Sequence, residues 1–216
     1  MIVTRRAFAT TLSLAALVAY APPPSIGDAL AQNATAALAT EPVSLPDMAL
    51  GPKSAPVTIV EYSSMTCSHC ATFEAAAFSR IKSKYIDTGN VRFVFREFPL
   101  DNKAMAASML ARCIANDDAG KYFDAVDTLF KQQDQLIAHT TDTLKLIGTQ
   151  AGMSEQAVDI CLKDQALFDK LVVDQKIAHE VVKVTAAPTL FINGEKTEGA
   201  RSFEEMDGKI WSLLRK

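Results

Sequence analysis

Cys67-Ser68-His69-Cys70 carries the side chains of this sequence best suited to chemistry. Two thiols separated by two residues can reach each other, so the pair can cycle between dithiol and disulfide. The thiolate is the reacting form of cysteine. The pair follows a β-branched run, Val57-Thr58-Ile59-Val60-Glu61-Tyr62, and opens a helix-like run from Ala71 to about Thr88. A helix start presents unpaired N–H groups and the positive end of the backbone dipole, and both favour a thiolate placed there. Strand, dithiol and helix in that order form a redox device. A static disulfide, or half of a metal site, would use the same residues.

The rest of the chain sets the context. Arg5 and Arg6 precede an apolar run from Ala7 to Ala21, and Ala29 and Ala31 offer a cleavage site after Ala31. Residues 1–31 are therefore expected to be an export signal, whose apolar run of about 15 residues is too short to span a bilayer. Thr4-Arg5-Arg6-Ala7-Phe8 also matches the start of a twin-arginine signal, a motif that ordinary secretory signals share. Export implies an oxidising compartment, where disulfides persist. Of 216 residues and a net charge of −3, cleavage would leave 185 residues and a charge of −4. That length suits one domain with a substantial core. No basic patch suggests nucleic acid as a partner.

Residues 32–56 are rich in Ala, Pro, Thr and Ser without a sustained period and read as a flexible leader. Val57–Tyr62 reads as a buried strand. The helix after the dithiol carries Phe73, Ala76, Ala77, Ile81 and Tyr85 at helical spacing and ends at Gly89-Asn90. Residues 91–98 read as a second strand, stopped by Pro99. From Asn102 to Val184 the pattern is helical throughout. Residues 186–195 read as a strand that ends in an Asn193-Gly194 hairpin signal. A short return strand runs to about Glu198. Ser202 with Glu205 forms a capping box for a last helix, whose buried face is Phe203, Met206, Ile210, Trp211 and Leu214. The order is β–C-x-x-C–α–β, then helices, then β–β–α, which makes a mixed α/β sheet with a parallel pair.

At this point the chain resembles bacterial DsbA-type thiol:disulfide oxidoreductases, over roughly residues 57–216. The motifs are Glu61-Tyr62-Ser63-Ser64-Met65-Thr66-Cys67-Ser68-His69-Cys70, the strand from Val91 to Phe98, and Val184-Thr185-Ala186-Ala187-Pro188-Thr189. The resemblance implies an α/β fold, a thioredoxin fold with an inserted all-helical domain. Residues 57–101 would be its first part, 102–184 the insertion and 185–216 its second part. It implies Cys67 as the exposed nucleophile, Cys70 as the buried resolving thiol and His69 as a stabiliser of the Cys67 thiolate. Glu61 would be a buried acid that handles the Cys70 proton. Pro188 would be cis, with Ala187 and Thr189 beside it in contact with substrate. Many members carry Val or Thr where this chain has Ala187. A low-pKa Cys67 stabilises the dithiol and so makes the disulfide a stronger oxidant, which is the established behaviour of DsbA proteins.

Cys113 and Cys161, 48 residues apart in the helical stretch, are expected to pair in an oxidising compartment. On the chain-entropy model that bridge contributes about 4 kcal/mol. Two separate buried thiols are the alternative. His139 and His179 stand alone and read as surface or satisfied residues. No metal and no cofactor is expected, because the electrons move between sulfurs.

The expected function is an exported, periplasmic, monomeric oxidase that introduces disulfides into reduced secreted proteins. A quinone-linked membrane oxidase would reoxidise it. A disulfide isomerase or reductase of the same fold is the nearest alternative, and a Cys/His metal-binding module the next. The 25 residues of leader are fewer than the dimerisation domain such isomerases usually carry.

Overall fold

A computed structural model describes residues 44–215. The expected export signal and the first part of the expected leader lie outside these residues.

Five strands form one sheet in the order β1-β3-β2-β4-β5. They are β1 (Met48–Leu50), β2 (Val57–Ser63), β3 (Val91–Glu97), β4 (Thr189–Ile192) and β5 (Glu195–Glu198). The central pair β2 and β3 is parallel, from Val57 opposite Val91 to Ser63 opposite Glu97. The remaining pairs, β1 with β3, β2 with β4 and β4 with β5, are antiparallel. The β4–β5 turn is made by Asn193 and Gly194, both at positive φ, as a two-residue hairpin requires. Parallel strands need a crossover. Here it is the helix α1, residues 68–86, which opens with the dithiol.

The sheet is buried on both faces, which explains the weak alternation of residues 91–98. Val57 and Ile59 of β2 pack in a core with Phe73, Ala77, Ile81 and Tyr85 of α1. Val60 and Tyr62, one pleat over, pack in a second core with Val94, Phe191, Val182 and Val184. By the same period of two, Glu61 and Ser63 project toward the α1 side. The four core residues of α1 follow one another at four-residue intervals. In a regular α-helix each such step overshoots a full turn by about 40°. The helix corrects this with two π-helical stretches, Glu74–Phe78 and Lys82–Ile86, whose wider turns bring the stripe back into line.

Six helices lie between β3 and β4. They are α2 (Asn102–Ala115), α3 (Ala119–Lys131), α4 (Gln133–Ala138), α5 (Thr140–Gln150), α6 (Glu155–Leu162) and α7 (Gln165–Glu180). Asp101, Asp118, Ser154 and Asp164 each cap the helix that follows by accepting a bond from a first-turn N–H. Aromatic edges join these helices to the sheet: Phe93 meets Phe123 at 6.1 Å and Phe95 meets Tyr122 at 5.9 Å between ring centroids. Cys113 and Cys161 are joined in a disulfide between α2 and α6, with their Cα atoms 6.2 Å apart. The last helix, α8 (Phe203–Leu214), has the expected capping box of Ser202 and Glu205. Its buried residues are Phe203, Met206 and Ile210, while Trp211 is 54% exposed and so stands outside the expected buried face.

Two elements differ from the sequence reading. Residues 44–56 are not a free leader, because β1 forms the sheet edge there and long-range partners hold what precedes it. Asp174 of α7 accepts from the Ser44 and Leu45 N–H groups at 2.9 and 3.1 Å. Arg112 donates to the Pro46 carbonyl at 2.7 Å, and Arg96 to Asp47 at 2.9 Å. Gly51, at φ +81°, turns the chain into β2 where a Cβ would stand 2.2 Å from the Val91 carbonyl oxygen. The other difference is α4, a short separate helix where the sequence pattern shows only a continuous helical stretch.

Candidate active site

Cys67 is the N-cap residue of α1, in extended conformation at φ −83° and ψ 119°. The β2 strand delivers the chain to this point. The turn between them is tied by the Cys67 N–H donating to the Ser64 carbonyl at 3.0 Å and by Thr66 Oγ1 donating to Asp101 at 2.9 Å. Cys67 is half-buried and Cys70, one helical turn on, is fully buried; both are free thiols. Reactive cysteines are partly accessible and inert ones enclosed, so exposure divides the pair into an attackable sulfur and a protected one.

The electrostatics divide them in the same sense. The Cys67 thiol is pulled down to about 6, first by a hydrogen bond from Cys70, then by the N–H groups of Cys70 and His69, and last by the His69 side chain. Partial burial works against this. His69 is exposed, and its ring contributes least among these helpers. The Cys70 thiol is pushed far up by the same hydrogen bond, by burial and by the nearby Glu61 charge.

The loop before β4 closes over the pair. The Ala187–Pro188 bond is cis, and Cys67 Sγ lies 3.2 Å from the Ala187 carbonyl oxygen. Ala187 is part-exposed beside the sulfur, while Pro188 is buried. Thr189 departs from its expected role in substrate contact. Its side chain is fully buried and its hydroxyl donates to the Ala186 carbonyl at 2.6 Å, because β4 begins here and the strand turns that side chain inward.

Glu61 is fully buried under the dithiol, and neither of its carboxylate oxygens has a hydrogen-bond partner among the described residues. Burial pushes it up to about 8, and the Cys67 thiolate adds to this. The sign of the resulting pH dependence is set by the raised value. Protonated Glu61 favours folding, so its contribution is complete below about 4.5 and is lost as pH rises through about 8. We expect the disulfide form, in which neither cysteine titrates and burial still holds Glu61 up, to lose stability as pH rises above about 4.5, with a slope approaching about 1.4 kcal/mol per pH unit. Glu61→Gln should flatten the slope, as denaturant midpoints across the pH range would report.

Two neighbours gave no sequence signal. Glu74, one turn beyond Cys70, has one carboxylate oxygen buried without a partner and is held well above the usual carboxylate range by burial and by Glu61. Gln133 of α4 reaches the backbone of the dithiol turn. A polar residue at a helix joint does not announce such a contact, which depends on how the joint packs. His139 and His179 lie apart from the dithiol: His139 is exposed before α5, and His179 Nδ1 is 3.1 Å from the Val184 carbonyl oxygen. Cys113 and Cys161 are engaged with each other, which leaves no four-cysteine set for a metal.

No helix among the described residues is long and apolar enough to cross a membrane. A thioredoxin family model matches residues 44–211. A Rickettsia bellii protein that carries the provisional name protein-disulfide oxidoreductase is 34% identical over 154 residues, 70% of this chain; the chain spans 59% of that protein's length. Disulfide bond formation protein D of Bacillus subtilis is 25% identical over 170 residues, covering 77% of this chain and 76% of that protein. The crystal structure of Wolbachia pipientis alpha-DsbA1 superposes with a TM-score of 0.74 at 30% identity, covering 83% of this chain and 95% of that one. With the C-x-x-C pair at a helix start, the cis-proline loop against it and helices between the two halves of the sheet, the chain belongs to the thioredoxin family, among its DsbA-type proteins.

Proposed function

We propose that this protein is an exported thiol:disulfide oxidoreductase that introduces disulfides into reduced secreted proteins in the periplasm. The observation that carries the reading is the asymmetry of the pair: Cys67 is accessible and acidic, Cys70 is enclosed and far less acidic. The cycle begins with Cys67 and Cys70 oxidised. A substrate thiolate attacks Cys67 Sγ, the Cys67–Cys70 bond breaks, and Cys70 leaves as a thiolate that takes up a proton, with Glu61 as the nearest acid. A second substrate thiolate then attacks its own sulfur in the mixed disulfide and expels Cys67. The substrate loses two electrons and gains a disulfide; the enzyme gains both and becomes the dithiol. The leaving group of the second step departs faster for its low pKa.

In this reading Ala187 and cis-Pro188 present backbone to the substrate, and His69 assists the thiolate. Residues 102–184 act as an inserted helical unit, and the enzyme works as a monomer without a cofactor. A quinone-linked membrane oxidase restores the disulfide, and residues 1–31 direct export. The same residues could serve an isomerase or reductase, and the small Ala187 beside Pro188 keeps that reading in view. The Cys67–Cys70 equilibrium against a glutathione series separates the two. The oxidase reading expects a reduction potential well above about −200 mV, whereas a value near about −270 mV would make the protein a reductase.

A further inference from the structure

The side chain of Gln133 crosses from the helical stretch to the dithiol turn. Its amide nitrogen donates to the carbonyl oxygen of Met65 at 2.9 Å and to that of Cys67 at 3.1 Å. A side-chain amide has two N–H donors, and both are spent here. Gln133 is 9% exposed, so these bonds form largely out of water, where an unmet donor or acceptor is costly. The residue is held at its backbone as well, as the first residue of α4 directly after the joint at Gln132.

The Cys67 carbonyl has two bonds to make. It accepts the Ala71 N–H at 3.1 Å, which starts α1, and it accepts Gln133. We propose that Gln133 is the positioning residue through which the inserted helices set the reactivity of Cys67. Two physical effects act together. Pinning the Cys67 and Met65 carbonyls fixes the N-cap backbone, and with it the direction in which the first-turn N–H groups point at Cys67 Sγ. Donors on those oxygens also offset the negative ends of two peptide dipoles beside a sulfur that must carry charge. Both effects favour the thiolate and therefore the dithiol form. Gln133 touches no substrate, and its influence passes through the backbone of residues 65–67.

This inference rests on Cys67 being the reactive sulfur, and its test needs no protein substrate. Gln133→Met keeps the length of the side chain and removes both donors. In this variant the pH titration of the Cys67 thiolate, followed by ultraviolet absorbance, should move up by about half a unit. The glutathione equilibrium should shift about threefold toward the disulfide, the same change read in the other variable. Gln133→Asn keeps the amide but draws it back by one methylene, and should move both readings the same way if the Met variant does not fold. In the unaltered reduced protein, scalar couplings across the hydrogen bonds should link the Gln133 side-chain nitrogen to the Met65 and Cys67 carbonyl carbons.

A variant with a lower denaturant midpoint but an unmoved thiolate titration and equilibrium would overturn the proposal, leaving Gln133 a packing residue. Absence of both couplings would overturn it as well. Failure of the oxidase reading would appear instead in the unaltered protein, as an absence of disulfide transfer.

Discussion

Cys67→Ser is expected to abolish dithiol–disulfide exchange, lowering the rate by at least about a thousandfold. The size follows from the chemistry. Exchange passes through a mixed disulfide, and a serine hydroxyl can neither hold one nor complete the internal bond with Cys70. No other sulfur can substitute, since Cys113 and Cys161 are bound to each other and Cys70 is fully buried. Cys70→Ser should behave differently. It leaves the accessible, acidic Cys67 in place and removes the thiol that would attack a mixed disulfide from within, so covalent adducts with substrate should accumulate. The measurement is transfer of a disulfide to a reduced dithiol peptide, with adducts resolved by mass spectrometry under non-reducing conditions. Adducts on Cys67→Ser, with none on Cys70→Ser, would exchange the two roles.

Arg112→Ala is expected to cost about 3–5 kcal/mol of folding stability, read as a lower denaturant midpoint. Arg112 and Glu97 are among the most enclosed charges in the protein. Arg112 Nη2 donates to Glu97 at 2.6 Å, the Tyr122 hydroxyl donates to Glu97 at 2.6 Å, and Arg112 Nη1 reaches the Pro46 carbonyl at 2.7 Å. The network ties the end of β3, the helices α2 and α3, and the segment before β1 at one point. Removing the guanidinium leaves the Glu97 carboxylate enclosed with Tyr122 alone, and an uncompensated buried charge is what makes such losses large. Replacing both ionic partners, as Arg112→Met with Glu97→Leu, should recover part of the loss, because the stranded charge goes too. A single substitution that cost less than about 1 kcal/mol would show that water reaches the network.

The residues that carry these effects were unequally visible in the sequence. Cys67 and Cys70 were plain from spacing and from the strand and helix patterns around them, since local rules govern both. The strands at 57 and 91, the Asn193-Gly194 hairpin and the Ser202 capping box were legible for the same reason. Arg112 and Glu97 were not. Each sits in an apolar run and reads as a snorkelling or stray charge until α2 is packed against β3. The edge strand at residues 48–50 was equally silent, because three residues hold no period and its order comes from pairing with β3 and from Asp174, Arg112 and Arg96, whose bonds to residues 44–47 span 49 or more residues of the chain.

The sequence by itself determined the order of elements, the place of the dithiol at a helix start and the family to which both belong. These are matters of periodicity, capping and motif, and neighbours along the chain decide them. Only the tertiary structure decided which polar groups would be shut away from water and what they would meet there. It put Glu61 beneath the thiols without a partner, set the Ala187 carbonyl against Cys67 Sγ, turned Thr189 inward and brought Gln133 to the carbonyls of the turn. Burial and long-range hydrogen bonds depend on the whole packing. They tune a C-x-x-C pair, while the local pattern does no more than supply one.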